Sequence, residues 1–108
     1  VLFWTVETLN DLVDSEIAGL PADLRARLVR IAELIVEHGP DRLPRAYARH
    51  LEGKLWELRV KGPDGIARAI YVTVSGRRVI ILRVFVKKTQ KTPPRELELA
   101  RRRAREIA

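Results

Sequence analysis

Residues 54–86, KLWELRVKGPDGIARAIYVTVSGRRVIILRVFV, hold the pattern that decides the fold. From Lys54 to Lys61 apolar and charged residues alternate, with Trp56, Leu58 and Val60 on one face and Glu57, Arg59 and Lys61 on the other. A period of two is what a half-buried strand requires. Gly62-Pro63-Asp64-Gly65 interrupts the run with residues suited to a tight turn, so Ala67 to Val74 is expected to return beside it as the second arm of a hairpin. Ser75-Gly76 marks the next turn. Val79 to Val86 is apolar apart from Arg83, as a central strand covered on both faces would be. Three strands joined by short turns form an antiparallel meander.

Working toward the N-terminus, residues 41–52 mix charge with Pro and Gly neighbours and read as a loop. Before it, Leu24, Leu28, Ile31, Ala32 and Ile35 recur at helical spacing, with Arg25, Arg27, Arg30 and Glu33 opposite. His38-Gly39-Pro40 ends this helix, because Gly accepts the left-handed turn after a helix and Pro prevents continuation. Pro21 separates it from an earlier amphipathic helix carrying Leu9, Leu12, Val13, Ile17 and Leu20, for which Thr8 can serve as the cap. Phe3 to Val6 is a short aromatic and β-branched strand. Toward the C-terminus, Thr92 can cap and Pro93 can open a last helix with Leu97, Ala100, Ala104 and Ile107 in one stripe. The order strand, helix, helix, three strands, helix predicts an α+β fold: an antiparallel sheet with an N-terminal helical hairpin and a C-terminal helix, residues 1–108 forming one domain.

The chain has 108 residues and no Cys, which excludes disulfides, thiolate chemistry and Cys-based metal sites. No metal-ligand cluster or cofactor motif occurs at a usable spacing, and no apolar run is long enough to span a membrane. A cytoplasmic protein without a secretion signal is the expectation, although the sequence does not open on Met and nothing rests on its first residues. The net charge is +7. Residues 83–108 contain nine Lys or Arg against three Asp or Glu, whereas residues 1–82 contain twelve against eleven. Such an excess suits a polyanion, since each phosphate neutralised releases a condensed counterion. The alternative is that Arg101, Arg102, Arg103 and Arg105 only solvate a helix.

The element order, together with Gly53-Lys-Leu-Trp-Glu-Leu-Arg59, Arg68-Ala-Ile-Tyr71 and Phe85-Val-Lys-Lys-Thr-Gln-Lys-Thr-Pro93, resembles the HigB-like branch of the RelE toxin superfamily, which includes phage-derived proteins. The resemblance covers nearly the whole chain, and its most specific part is the stretch from Phe85 to Pro93. It implies the toxin of a type II toxin–antitoxin system, a ribosome-dependent endoribonuclease that cuts messenger RNA in the A site. It also implies a cognate, HigA-like antitoxin with a helix-turn-helix domain, through which alone the pair would meet operator DNA.

Metal-free RNA cleavage uses the substrate's own 2′-hydroxyl, and the protein must align it, stabilise the phosphorane and move protons. Arg donates a two-pronged fork to phosphate and stays charged. Arg68 and Arg59 are therefore the expected catalytic arginines; Arg68 shares parity with the apolar Ile70, Val72 and Val74, and its other reading is an ion-paired strand-end residue. Glu57 and Lys61 share the face of Arg59, so that residue also reads as part of a salt-bridged outer surface. Lys87 and Lys88 complete the catalytic set, neighbouring ammonium groups lowering one another's pKa so that one can carry a proton. Lys61, Arg83, Lys91 and Arg95 are expected to hold RNA. Thr89 and Thr92 read equally as turn or cap residues and as substrate contacts. His38 reads as a helix-end residue, His50 as an exposed loop residue able to approach the groove, and Trp56 and Tyr71 as core residues before base-stacking ones. RelE itself presents lysines where Leu55 and Glu57 would align, and the tyrosine expected near the last helix is absent, leaving the general base open. The competing functions are a ParE-like toxin acting on DNA gyrase, and a non-catalytic RNA- or ribosome-binding module on the same scaffold.

Overall fold

A computed structural model describes residues 3–63, 65–88 and 90–107. Asp64 and Thr89 lie outside the described residues, and with them the turn and substrate-contact readings placed there. Five strands, β1 (Thr5–Thr8), β2 (Ala48–Glu52), β3 (Leu55–Gly62), β4 (Gly65–Val74) and β5 (Arg78–Val86), form one sheet in the order β1-β5-β4-β3-β2. Helices α1 (Asp11–Ala18) and α2 (Ala22–His38) precede β2, and α3 (Pro94–Ala104) follows β5. The expected meander of β3, β4 and β5 is antiparallel, while β1 runs parallel to β5. Arg78 and Glu7 clasp that parallel pair through two hydrogen bonds of 2.7 and 2.9 Å.

Residues 41–52, read as a loop, contain a short 3-10 turn at Pro40–Arg42 and then the strand β2. Its sequence, Ala-Arg-His-Leu-Glu, lacks a clean apolar alternation because an edge strand needs only one backbone partner and little burial. Thr8 is the last residue of β1 rather than a cap. Asn10 caps α1, its Oδ1 accepting from the Val13 amide at 3.2 Å. The β4–β5 turn, three residues between the paired Val74 and Arg78, places both Gly76 (φ 85°) and Arg77 (φ 58°) in the left-handed region, which lets the chain reverse tightly. After α2, Gly39 has φ 84°, and a Cβ there would meet the Trp4 indole Nε1 at 2.8 Å.

Both faces of the sheet are covered. On one, Val13, Leu24, Leu28, Ile31 and Ile35 from α1 and α2 pack on Leu58, Val60, Ala69, Tyr71, Val79 and Ile81. On the other, Ala100 of α3 packs on Leu55, Ile70, Val72, Ile80 and Leu82, with Leu97 and Ala104 at the margin. Fully burying an aliphatic side chain contributes about 1.5–3 kcal/mol, so both layers matter to stability. β3 is consequently not the half-buried strand its alternation predicts: Glu57 is fully buried and Trp56, on the opposite face, is 38% exposed. A bulge sits where Ile70 faces Arg83 and Tyr71 faces Ile81, leaving Leu82 as the extra residue. It turns both Leu82 and Arg83 toward α3.

Candidate active site and its basic rim

Register brings the site together. On the α3 side of the sheet, Arg59 of β3 lies opposite Arg68 of β4, which in turn lies opposite Phe85 of β5, and Glu57 is next along on β3. The connector from β5 to α3 passes over this end of the sheet. Arg68 holds it there: Nη2 donates to the Gln90 carbonyl at 2.6 Å and Nη1 donates to Thr92 Oγ1 at 2.6 Å. Thr92 Oγ1 donates onward to Glu57 Oε2 at 2.5 Å, and Arg68 Nη1 reaches the same oxygen at 3.4 Å. Thr92 is thus a bridge between two strands, not the cap of α3, which begins after Pro93 without a side-chain cap.

Arg68 and Glu57 are both completely buried. A buried ion pair can be neutral in net stability, but breaking one by removing a partner costs about 3–5 kcal/mol. Two of its atoms, Glu57 Oε1 and Arg68 Nε, find no hydrogen-bond partner among the described residues. Such orphaned polar atoms cost roughly 1–3 kcal/mol each. Burial lowers the Arg68 pKa from its ordinary value, Glu57 raises it again, and Arg59 and Arg49 lower it further. The guanidinium nevertheless stays charged at any physiological pH.

Above this buried pair lies an open layer of cations. Arg59 and Lys87 are half-buried, whereas Arg49, Lys61 and Lys88 are exposed. Arg49 belongs to β2 and pairs in register with Glu57, so it faces the same side. The Lys87 amide donates to the Ile66 carbonyl at 2.7 Å, extending the β4–β5 ladder one residue past β5 and fixing where the lysine stands. Burial and the Arg68 and Arg59 charges lower the Lys87 pKa, with Glu57 opposing. The expected depression of a lysine is present, but its causes are burial and three arginines, Arg68, Arg59 and Arg49, not a neighbouring ammonium. Lys88 shares a shallow depression with Gly65, Ile66, Lys87 and Gln90. Arg59, Arg49 and a lysine of lowered pKa are groups that can bind a phosphodiester and exchange a proton beside it.

A family model described as phage-derived protein Gp49-like matches residues 15–105. The chain belongs to this family. Among solved structures, the Gp49-like chain is similar in fold to the RelE of an archaeal RelE–RelB complex from Pyrococcus horikoshii OT3, with 19% identity and a TM-score of 0.62 over 78% of this chain and 94% of that one. It is similar also to the E. coli toxin RelE, solved free as a double arginine-to-alanine variant, at 15% identity and a TM-score of 0.62 over 98% and 99% of the two chains. The Gp49-like chain therefore has the RelE toxin fold, as its resemblance implied. No curated protein sequence matches it.

Not every residue expected at the Gp49-like site arrives there. Arg83 is half-buried and committed to Glu96 at 2.8 Å and to Glu16 at 2.9 Å, with its guanidinium 5.7 Å from the Phe85 ring centre. The bulge turns it toward these carboxylates, so its guanidinium is held within the fold and not presented with the open cations, which corrects its expected role. Lys91 is exposed on the connector and Arg95 is exposed at the start of α3. His50 lies on the opposite side of β2 from Arg49, its ring edge against Trp56 and its Nε2 2.8 Å from the Gly53 carbonyl. Tyr71 is buried and its hydroxyl pushed up to about 12, chiefly by burial. His38 ends α2 near Glu37. The basic run of α3 is partly structural: Arg101 pairs with Glu52 at 2.6 Å, and buried Arg103 pairs with Glu16 at 2.9 Å and donates to the Leu82 carbonyl at 2.8 Å. Arg49 was missed because it lay in the presumed loop, and Glu57 because its alternation pointed it outward. A cleft of about 750 Å³ lies at the opposite end of β4, between Val72, Val74, Ala104 and Ile107, and none of Arg49, Arg59, Arg68, Lys87 and Lys88 lines it.

Proposed function

We propose that this Gp49-like protein is the toxin of a type II toxin–antitoxin pair and a ribosome-dependent endoribonuclease that cuts messenger RNA in the cytoplasm. The observation that carries this reading is the stack of Arg59, Lys87 and Arg49 over a buried Glu57–Arg68–Thr92 network, on a fold shared with RelE toxins. In this reading the neutral form of Lys87 accepts the proton of the substrate 2′-hydroxyl as its oxygen attacks the adjacent phosphorus. The bond from phosphorus to the 5′-oxygen breaks, the leaving oxygen takes a proton from solvent, and a 2′,3′-cyclic phosphate remains. Arg59 stabilises the extra negative charge on the phosphorane, while Lys88, Lys61, Lys91 and Arg95 hold flanking phosphates. Arg68, enclosed by its partners, acts beneath the substrate by holding Thr92 and the connector that carries Lys87 and Lys88. A cognate antitoxin, HigA-like and carrying the operator-binding domain, masks the basic face; the archaeal RelE solved with RelB supports such a partner.

Primer extension on a defined messenger, with and without ribosomes exposing a known A-site codon, tests the reading. Cuts inside that codon only when ribosomes are present, reduced about a hundredfold or more by Arg59→Ala or Lys87→Ala, are expected, as one electrostatic or proton-transfer group contributes about 10²–10⁴. Cuts in naked RNA would remove the ribosome from the proposal. A folded, toxic protein that cuts neither substrate would point instead to gyrase or another protein target.

A further inference from the structure

The cations of this chain differ in how they are held. Arg78, Arg83, Arg101 and Arg103 are tied to carboxylates, and Arg25 donates to the Ala18 and Leu20 carbonyls at the α1–α2 junction. Arg27, Arg30, Arg59 and Lys61 have no side-chain hydrogen bond or ion pair among the described residues. These four converge on one cleft of about 220 Å³, between α2 and the margin of β3, whose remaining lining is Ile31, Leu34 and Tyr47. The β2–β3 pairing stops at Ala48 opposite Leu58, so beyond the Arg59 amide no strand covers the outer margin of β3. Tyr47 is fixed at this corner by its backbone carbonyl, which accepts from the Arg59 amide at 2.8 Å, and its ring is 38% exposed.

Four like charges around a cleft with no carboxylate in its lining repel one another, a cost that a bound polyanion would relieve. The floor is apolar and the wall aromatic. We propose that this cleft is a second RNA subsite, in which a single-stranded segment beyond the cleaved position lays a base against Tyr47 and its phosphates against Arg27, Arg30 and Lys61. The proposal rests on the nuclease reading above for the direction of the strand, because Arg59 belongs to both places. It lines the cleft, and it lies opposite Arg68 and near enough to Lys87 to lower its pKa. A strand leaving the Lys87 site over Arg59 therefore enters the cleft without crossing neutral surface. RNA fits better than an acidic polypeptide because every base offers a flat face to an exposed tyrosine, while backbone phosphates recur at a spacing that a row of cations can follow.

The test is fluorescence anisotropy of a labelled, uncleavable 2′-O-methyl oligoribonucleotide of about twelve nucleotides, a length chosen to exceed the smaller single-strand site sizes. Wild type is compared over a salt series with Arg27→Ala/Arg30→Ala, Tyr47→Ala and Tyr47→Phe. A charge-matched control, Arg102→Ala/Arg105→Ala, removes two exposed cations from the far helix. The cleft pair is expected to lower the slope of log affinity against log salt by about 1.4, at about 0.7 per phosphate contact on a single strand. Tyr47→Ala is expected to weaken binding about fivefold or more, the lower end for loss of one stacked base, and Tyr47→Phe to leave it within about twofold. A cleft pair no weaker than the control pair overturns the subsite, and if primer extension still shows ribosome-dependent cuts the nuclease reading survives that failure. Conversely, cleft-dependent RNA binding in a protein that makes no cuts keeps the subsite and removes the nuclease. Binding of a polyglutamate peptide that depends on the cleft arginines, with no affinity for the RNA, would assign the cleft to an acidic protein segment and overturn the proposal.

Discussion

Burial and the charges of Arg68 and Arg59 push the Lys87 ammonium below its usual value, and Glu57 alone among its larger influences opposes them. If Lys87 takes the substrate proton, only its neutral form works. Cleavage then rises with pH along a limb set by this lysine, and the lowered pKa brings that limb down from the ordinary lysine range toward neutrality. Arg59→Ala removes one of the charges responsible, so its limb should move to higher pH, separately from any fall in maximal rate. A single-turnover pH–rate profile checks this, and a limb that stays in place would take the proton from Lys87 and give it to another group. Residue identities at the site were readable to the extent that chemistry follows type: Arg59, Arg68 and Lys87 do gather. What alternation could not reveal was depth. Arg68 and Phe85 lie side by side in register, yet one is sealed and the other only half so, because the connector crosses the sheet there and the strand pattern contains no record of it.

At the scale of elements, Glu16 of α1 ties three pieces of the fold. Beyond Ile81, where β1 ends, the outer margin of β5 has no strand partner, and Glu16 Oε1 accepts from the Val84 amide at 3.0 Å. The same carboxylate meets Arg83 of the bulge and Arg103 of α3, each at 2.9 Å. Burial alone would raise the Glu16 pKa, but Arg103, the Val84 amide and Arg83 outweigh it and the net shift is downward. A carboxylate depressed in the folded state stabilises at pH above its unfolded value, and that contribution disappears as pH falls through the folded one. Glu16→Ala should therefore cost about 2–4 kcal/mol at pH 7, near the figure for breaking a buried pair but reduced by partial exposure. Against wild type the loss should shrink below about pH 4, as the ordinary carboxylate range is passed. Chemical denaturation at the two pH values measures both numbers, and an equal deficit at both would mean packing rather than charge. None of this tie was visible in the chain, since 68 residues separate Glu16 from Val84 and 87 separate it from Arg103. The helices and the meander were visible because each announces itself within a few residues by its period. β2 was not, being five residues of mixed charge whose strand character comes from β3.

Over the whole molecule, the +7 charge is unevenly compensated. The C-terminal helix, where the excess lies in sequence, is partly neutralised by Glu16 and Glu52. The uncompensated cations instead collect along α2, β2, β3 and the start of the connector. Their mutual repulsion acts through solvent and is screened by salt, while the half-buried pairs are screened much less. Raising ionic strength from 0.01 to 0.15 M shortens the screening length from roughly 30 Å to about 8 Å. The melting temperature should accordingly rise over that range in chloride, and a fall would show that exposed pairs such as Arg78–Glu7 dominate instead.

The anchoring of the β5–α3 connector also sets an order of events during synthesis. Its two clasps, Glu57 and Arg68, sit on opposite arms of the β3–β4 hairpin, and Thr92 follows every strand in the chain. The connector can therefore be anchored at Thr92 only after the hairpin has closed and the residues up to Thr92 have left the exit tunnel. A nascent chain stalled before that point would hold its arginines on the sheet but no anchored connector above them.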